Sequence, residues 1–198
     1  MIAMSRAALH HADAILDATR TLVLREGTGR ATVEAIARAS RAPVGSLYHR
    51  FGSRDALLAE LWVRAVRRSQ AAFLAAAAHD DPEQAAVSAA LSIHDFANQE
   101  RDDARLLVSF RREDLLRGAR SAKVTRELKD LNVPLHCAVT SLARRLYKRA
   151  TQRTIQRTVL AVIDIPQGAV RRHLIAGSEF PVELRGQLAA AVRAVLHQ

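Results

Sequence analysis

Apolar residues recur at spacings of three and four along most of the chain, and no sustained alternation at two is bounded by turn signals. The first periodic stretch runs over residues 5–26, where Leu9, Ala12, Leu16, Thr19, Leu22 and Val23 form one stripe that Gly27 and Gly29 close. Two short segments follow. Residues 32–39 can turn Ile36 and Ala37 inward, and residues 43–50 place Leu47 and Phe51 four apart on one face. Longer helices are predicted over 53–79, with Leu57, Leu58, Leu61, Trp62, Ala65 and Phe73 inward, and over 82–98, with Ala86, Ala90, Ile93, Phe96 and Ala97. The pattern continues over 104–112, 122–150, 152–176 and 182–197. An all-α fold is therefore expected.

The boundaries carry their own chemistry. Thr32 suits the cap of the first short helix, and Pro43 suits the first helical position of the second. Ser53 caps the next helix, with Asp55 in its first turn on the favourable side of the dipole. Asp80 or Asp81 caps the helix after Pro82, and Arg101, Asp102 and Asp103 read as a turn. The charged run Arg111, Arg112, Glu113 and Asp114 reads as a solvated turn, and Gly118 and Ser121 mark a further boundary. Pro134 lies inside the 122–150 stripe, so a kink or two separate helices are expected there. Pro166 is expected to kink 152–176, whose apolar residues before that point cover more than one face.

Composition supports the helical reading: aromatics are 4% and glycines number only 8 in 198 residues. The single cysteine, Cys137, cannot form an internal disulfide and fits a reducing cytosol. No apolar run approaches the length of a membrane span, and the N-terminus lacks a signal-peptide core, so a cytoplasmic protein is expected. The net charge of +10 attracts polyanions. Its surplus is concentrated late: residues 121–198 hold 13 basic and 5 acidic groups, against 8 and 5 in residues 1–55. Nearly all the cations are arginine, which biased codon usage can also produce, so charge supports nucleic-acid binding only weakly.

Residues 32 to 58 carry the strongest signal. Two short helices, a tight turn between them and a polar outer face on the second are the plan of a helix-turn-helix. The run Gly45-Ser46-Leu47-Tyr48-His49-Arg50-Phe51, then Ser53-Arg54-Asp55-Ala56-Leu57, resembles the recognition-helix region of the TetR family of bacterial transcriptional regulators. Two positions depart from the family pattern. Arg41 stands where the family usually has glycine in the turn, and Arg50 replaces an aromatic.

The resemblance implies a three-helix DNA-binding domain at 1–52, with helices near 5–26, 32–39 and 43–50, and a ligand-sensing and dimerisation domain at 53–198. It implies that Val44, Gly45 and Ser46 face base edges in double-stranded DNA. Val44 can only touch a thymine methyl and Ser46 can donate or accept, so Arg41 is a candidate for an additional base contact. Tyr48, His49, Arg54 and the Thr32 hydroxyl and amide are expected on phosphates, with Pro43 at the start of the recognition helix. Tyr48 could instead be core, but its spacing from Leu47 and Phe51 points it off the buried face.

The resemblance further implies a homodimer packed through helices 152–176 and 182–197, reading a palindromic operator, and a small-molecule effector bound in the larger domain. Candidate lining residues are Trp62, Phe96, Phe110, Ile163 and Pro166, each equally suited to a core. A ligand-responsive repressor is the expected function, with a ligand-independent DNA-binding protein as the alternative. An all-helical enzyme is the remaining class. The chain has no Glu-x-x-His, His-Glu-x-x-His, Gly-x-Ser-x-Gly or phosphate-loop motif, and its eight histidines are scattered, so no catalytic residue, metal or cofactor is expected.

Overall fold

A computed structural model describes residues 6–110 and 122–198, with side chains described from 12 to 110 and from 125 onward. The run Arg111 to Asp114, the boundary at Gly118 and Ser121, and the side chain of Leu9 lie outside the described residues. All regular structure among the described residues is helical. The helices are α1 (Arg6–Glu26), α2 (Val33–Ser40), α3 (Val44–Phe51), α4 (Arg54–Ala77), α5 (Pro82–Gln99) and α6 (Arg101–Ser109). They continue as α7 (Ala122–Asp130), α8 (Val133–Tyr147), α9 (Gln152–Val159), α10 (Ile165–Ala176) and α11 (Leu184–Leu196). The chain forms two compact units. One comprises residues 1–65 and 109–129, and the other residues 66–108 and 130–198, so the division falls within α4.

In the first unit, α1 buries Ala12, Ile15, Leu16, Thr19, Leu22 and Val23. Thr19 is tolerated there because its hydroxyl donates to the Ile15 carbonyl at 2.7 Å. Gly27 then adopts φ 83° and ends the helix. Within this unit, Arg64 on α4 reaches both Asp13 (3.1 Å) and Asp17 (2.6 Å), which stand one turn apart on α1.

The second unit is organised around α5. Its alanines let neighbours approach on several sides: Ala85, Ala86, Ala89 and Ala90 are fully buried, with Val87 and Leu91 beside them. They share a core with Phe73, Val139, Leu142, Ala161, Val162, Leu188 and Val192. Sequence periodicity singles out one stripe of α5, whereas the structure uses more of its circumference. Arg145 on α8 caps the C-terminus of α4, donating to the Ala77 carbonyl at 2.9 Å and to the carbonyls of His79 and Asp80.

Several boundaries differ from expectation. Arg101, Asp102 and Asp103 are the first turn of α6 rather than a turn between helices; Glu100 alone makes the break, and the two aspartates favour the helix N-terminus. At Pro134 the chain makes two helices, with the proline in the first turn of α8, where its missing N–H costs nothing. At Pro166 the chain forms a π-helical turn, Leu160–Asp164, between α9 and α10. There the Ile165 N–H bonds to the Leu160 carbonyl five residues back. The wider turn precedes a proline that cannot donate. The last helix begins at Leu184, after a turn, rather than directly behind Pro181.

Candidate nucleic-acid interface

Thr32 is the N-cap of α2, and its hydroxyl accepts the Ala35 N–H at 3.2 Å. Ile36 and Ala37 are buried, as the periodicity required. The helix ends in a left-handed residue, Arg41, at φ 55° and ψ 26°. Its neighbour Ala42 donates back to the Ala37 carbonyl at 3.1 Å, which closes the turn. Arginine therefore occupies a backbone conformation that glycine adopts without steric cost. Its side chain is exposed.

Pro43 is the N-cap of α3 rather than its first helical residue, and the helix proper starts at Val44, one residue later than expected. Two sides of α3 then separate cleanly. Leu47 and Phe51 are 2% and 7% exposed, while Val44 and Tyr48 are 38% and 50% exposed. Gly45 and His49 are also exposed, and Ser46 is half-buried. Thr32, Arg41, Pro43, Val44, Gly45, Tyr48 and His49 are thus open to solvent, all within α2, α3 and the segments that cap and join them. Two large apolar side chains left in water on a helix whose other side is core require either a partner or a cost. Gly45 faces open space, and a β-carbon there would meet no neighbouring atom.

Arg54 departs from expectation. Its guanidinium turns inward, donating through Nε to the Ala31 carbonyl at 2.7 Å and through Nη2 to the Thr28 carbonyl. Nη1 pairs with Asp55 at 2.9 Å. With its donors engaged in this way, Arg54 positions the start of α4 against the segment leading into α2 and is not a free phosphate clamp. The Ser53 hydroxyl caps α4 as expected, accepting from Ala56 N–H at 3.1 Å. Arg50, which stands where an aromatic was expected, lies with its guanidinium 5.8 Å from the Phe51 ring centre.

Between the start of α2, α3 and the start of α4 lies an open cleft of about 170 Å³, lined by Val33, Leu47, Tyr48, Ser53, Arg54 and Leu57. That space is largely open solvent and encloses no room for even a water-sized group, so it is a surface notch. Sequence reasoning missed the Arg64 clamp on Asp13 and Asp17. The i,i+4 pair of aspartates was the available signal, but a partner 47 residues away is invisible to local spacing.

The five candidate pocket residues fall in both units. Trp62 and Phe110 belong to the first, and both are half-buried. Phe96 belongs to the second, in a small cluster with Ala97, Ala104, Val170 and Leu174. Ile163 lies in the π turn and Pro166 is buried just beyond it. Among the described residues no three His, Cys, Asp or Glu side chains group as a metal site, and no helix is long and apolar enough to cross a membrane.

Residues 15–61 match the family of bacterial regulatory proteins, tetR family. No curated protein matches the chain in sequence. Solved structures resemble it over nearly its whole length. The TetR family transcriptional regulator PfmR from Thermus thermophilus superposes with a TM-score of 0.70 at 16% identity, covering 92% of this chain and 97% of its own. A bacterial regulatory protein in the tetR family from Rhodococcus RHA1 gives 0.71 at 16%, covering 98% and 97%. A TetR-like transcriptional regulator, also from Rhodococcus sp. RHA1, gives 0.66 at 20%, covering 98% and 99%. The helix-turn-helix segment is thus similar in sequence to the tetR family of bacterial regulatory proteins, and the chain as a whole is similar in fold to these TetR-family structures.

Proposed function

We propose that the chain is a homodimeric, cytoplasmic repressor that releases its operator when an effector binds. The observation that supports this most is the division of α3, with Leu47 and Phe51 inward and Val44, Tyr48 and His49 outward. In this reading Val44, Gly45 and Ser46 meet base edges, while Tyr48, His49 and the Thr32 end of α2 hold phosphates. Arg41 supplies a further base or phosphate contact. Random-sequence selection with the intact chain tests it. A two-fold symmetric motif lost in Ser46→Ala, Tyr48→Ala supports the reading, and enrichment without a shared motif counts against it.

Dimerisation rests on α9 to α11. One recognition helix reads only a few base pairs, so a palindrome needs a pair of them. Of the large hydrophobic residues exposed among the described residues, Leu160, Ile175 and Val182 lie on or between these helices, at 46%, 63% and 94% exposure. A second copy would cover them. Sedimentation of Leu160→Glu, Ile175→Glu is expected to show a monomer where the unaltered chain is a dimer.

The effector is the finer part of the reading. The indole N–H of Trp62 is shut off from solvent and has no acceptor among the described residues. An unpaired buried donor costs about 1–3 kcal/mol, which an effector oxygen would offset. Phe110, in the same unit, would add apolar surface and favour a largely hydrocarbon molecule. Trp62 is the chain's single tryptophan, so its fluorescence reports binding directly. A compound that releases DNA without changing that emission would remove Trp62 from the site.

A further inference from the structure

Between Asp130 and Asp164 the sequence holds six basic residues and no acidic one: Arg144, Arg145, Lys148, Arg149, Arg153 and Arg157. The structure gathers them where α8 ends and α9 begins. Two are engaged locally. Arg145 caps α4 through backbone carbonyls, and the Arg157 guanidinium lies 5.8 Å from the centre of the Tyr147 ring. Arg144, Lys148, Arg149 and Arg153 are exposed and take part in no ion pair among the described residues. Other arginines of this chain find carboxylates: Arg64 binds Asp13 and Asp17, Arg68 binds Asp103, and Arg185 binds Asp95. Biased codon usage explains many arginines. It does not explain why the longest acid-free stretch of the chain is the one that holds this cluster.

We infer that the turn joining α8 and α9 is a second, sequence-independent nucleic-acid contact, in which these four cations neutralise DNA phosphates. The chemistry of the segment fits a phosphate backbone. Three of the four are arginine, whose planar fork suits phosphate oxygens. Lys148 sits at φ 59°, turning the chain so that the end of α8 and the start of α9 adjoin. The neutral residues interleaved with the cations, Thr151, Gln152, Thr154 and Gln156, are of the types that bond phosphates. Thr151 and Thr154 form a reciprocal capping box that fixes the first turn of α9.

An anionic membrane is the other polyanion, and the surface lacks what it requires. Membrane-surface helices bury apolar side chains between their cations. None of the large exposed hydrophobics among the described residues lies between 144 and 157. Of the acids on the neighbouring segment, Asp80 gives its backbone carbonyl to Arg145 and its exposed carboxylate pairs with none of the four cations, and the next two are engaged elsewhere. Asp81 caps α5 by accepting from Gln84 N–H at 2.7 Å, and Glu83 meets Arg193 at 3.4 Å and His197 at 3.2 Å.

The test uses full-length protein carrying Tyr48→Ala and His49→Ala, so that the recognition helix is weakened, and a short random-sequence duplex as probe. Affinity is measured against salt with and without Arg144→Gln, Lys148→Gln, Arg149→Gln and Arg153→Gln. Each phosphate contact contributes about 0.9 to the slope of log affinity against log salt. Four contacts therefore predict a slope shallower by about 3.6, with helical content and unfolding temperature unchanged, and with the slope kept when the three arginines are replaced by lysine. An unchanged slope overturns the inference. So does equal retention on phosphatidylserine vesicles and DNA that the glutamine substitutions do not reduce. Neither outcome bears on operator recognition by α3, which the selection experiment reads separately.

Discussion

Arg54 Nε donates to the carbonyl of Ala31 at 2.7 Å, binding the first residue of α4 to the buried residue just ahead of α2. The same guanidinium holds the Thr28 carbonyl. Sequence alone suggests a phosphate ligand at this position. The geometry gives it a different task, fixing the entry to the helix-turn-helix relative to the helix that follows. Arg54→Ala is expected to destabilise the first unit by about 1.5–3 kcal/mol, the range for hydrogen bonds from a charged donor. DNA affinity should fall with stability and not ahead of it. Arg54→Lys should recover little, because one ammonium cannot reach both carbonyls and Asp55 in the same fork. Denaturant unfolding beside DNA titration checks this. A variant with unchanged stability but lost affinity would restore the phosphate role.

Arg41 provides a test with the opposite sign. A β-carbon in the left-handed region costs about 1–2 kcal/mol. Arg41→Gly should therefore raise stability by about 1 kcal/mol, less a few tenths for the freer unfolded chain. In a chain this size that corresponds to roughly 2–4 °C in Tm. If Arg41 also touches DNA, the more stable variant binds its operator more weakly. Stability and affinity moving in opposite directions would identify a residue held in strain for its side chain.

Acid titration addresses the second unit. Arg185 grips Asp95 with two bonds, Nε to Oδ1 at 2.9 Å and Nη2 to Oδ2 at 3.0 Å. Partial burial pulls the Asp95 carboxyl upward, but the bonds and charge of Arg185, with the neighbouring His94, outweigh it and hold the group below its usual value. A depressed carboxyl pKa stabilises the fold above the unfolded value near 3.8 and loses that contribution as pH falls through the lower folded value. Asp95→Asn should flatten the acid limb of the stability profile in that window and leave the neutral-pH slope unchanged. Both groups are substantially exposed, so solvent screening keeps the effect modest. Urea unfolding across the acid range measures it.

Much of this architecture was legible because helical periodicity and caps act locally. Thr32, Ser53 and Asp81 cap the helices that their positions announced. Leu47 and Phe51 are buried because a four-residue spacing fixes their shared face. What local spacing could not show depends on partners distant in sequence. Arg54 reads as a surface cation until Ala31 and Thr28 are placed beside it. On α5, alanine is compatible with either water or core, so Ala85 and Ala89 gave no signal of their burial. The π turn before Pro166 was visible only as a break, since proline says where a hydrogen bond is missing and not how the backbone adapts.

The most direct measurement is footprinting of the purified chain on DNA carrying its selected sequence, at fixed salt, beside the Ser46→Ala, Tyr48→Ala variant. The account predicts a protected two-fold site with half-sites about one helical turn apart, lost in the variant while its helical content is kept. Protection that persists in the variant, or salt-sensitive binding with no defined boundary on any sequence, would contradict recognition through the exposed face of α3.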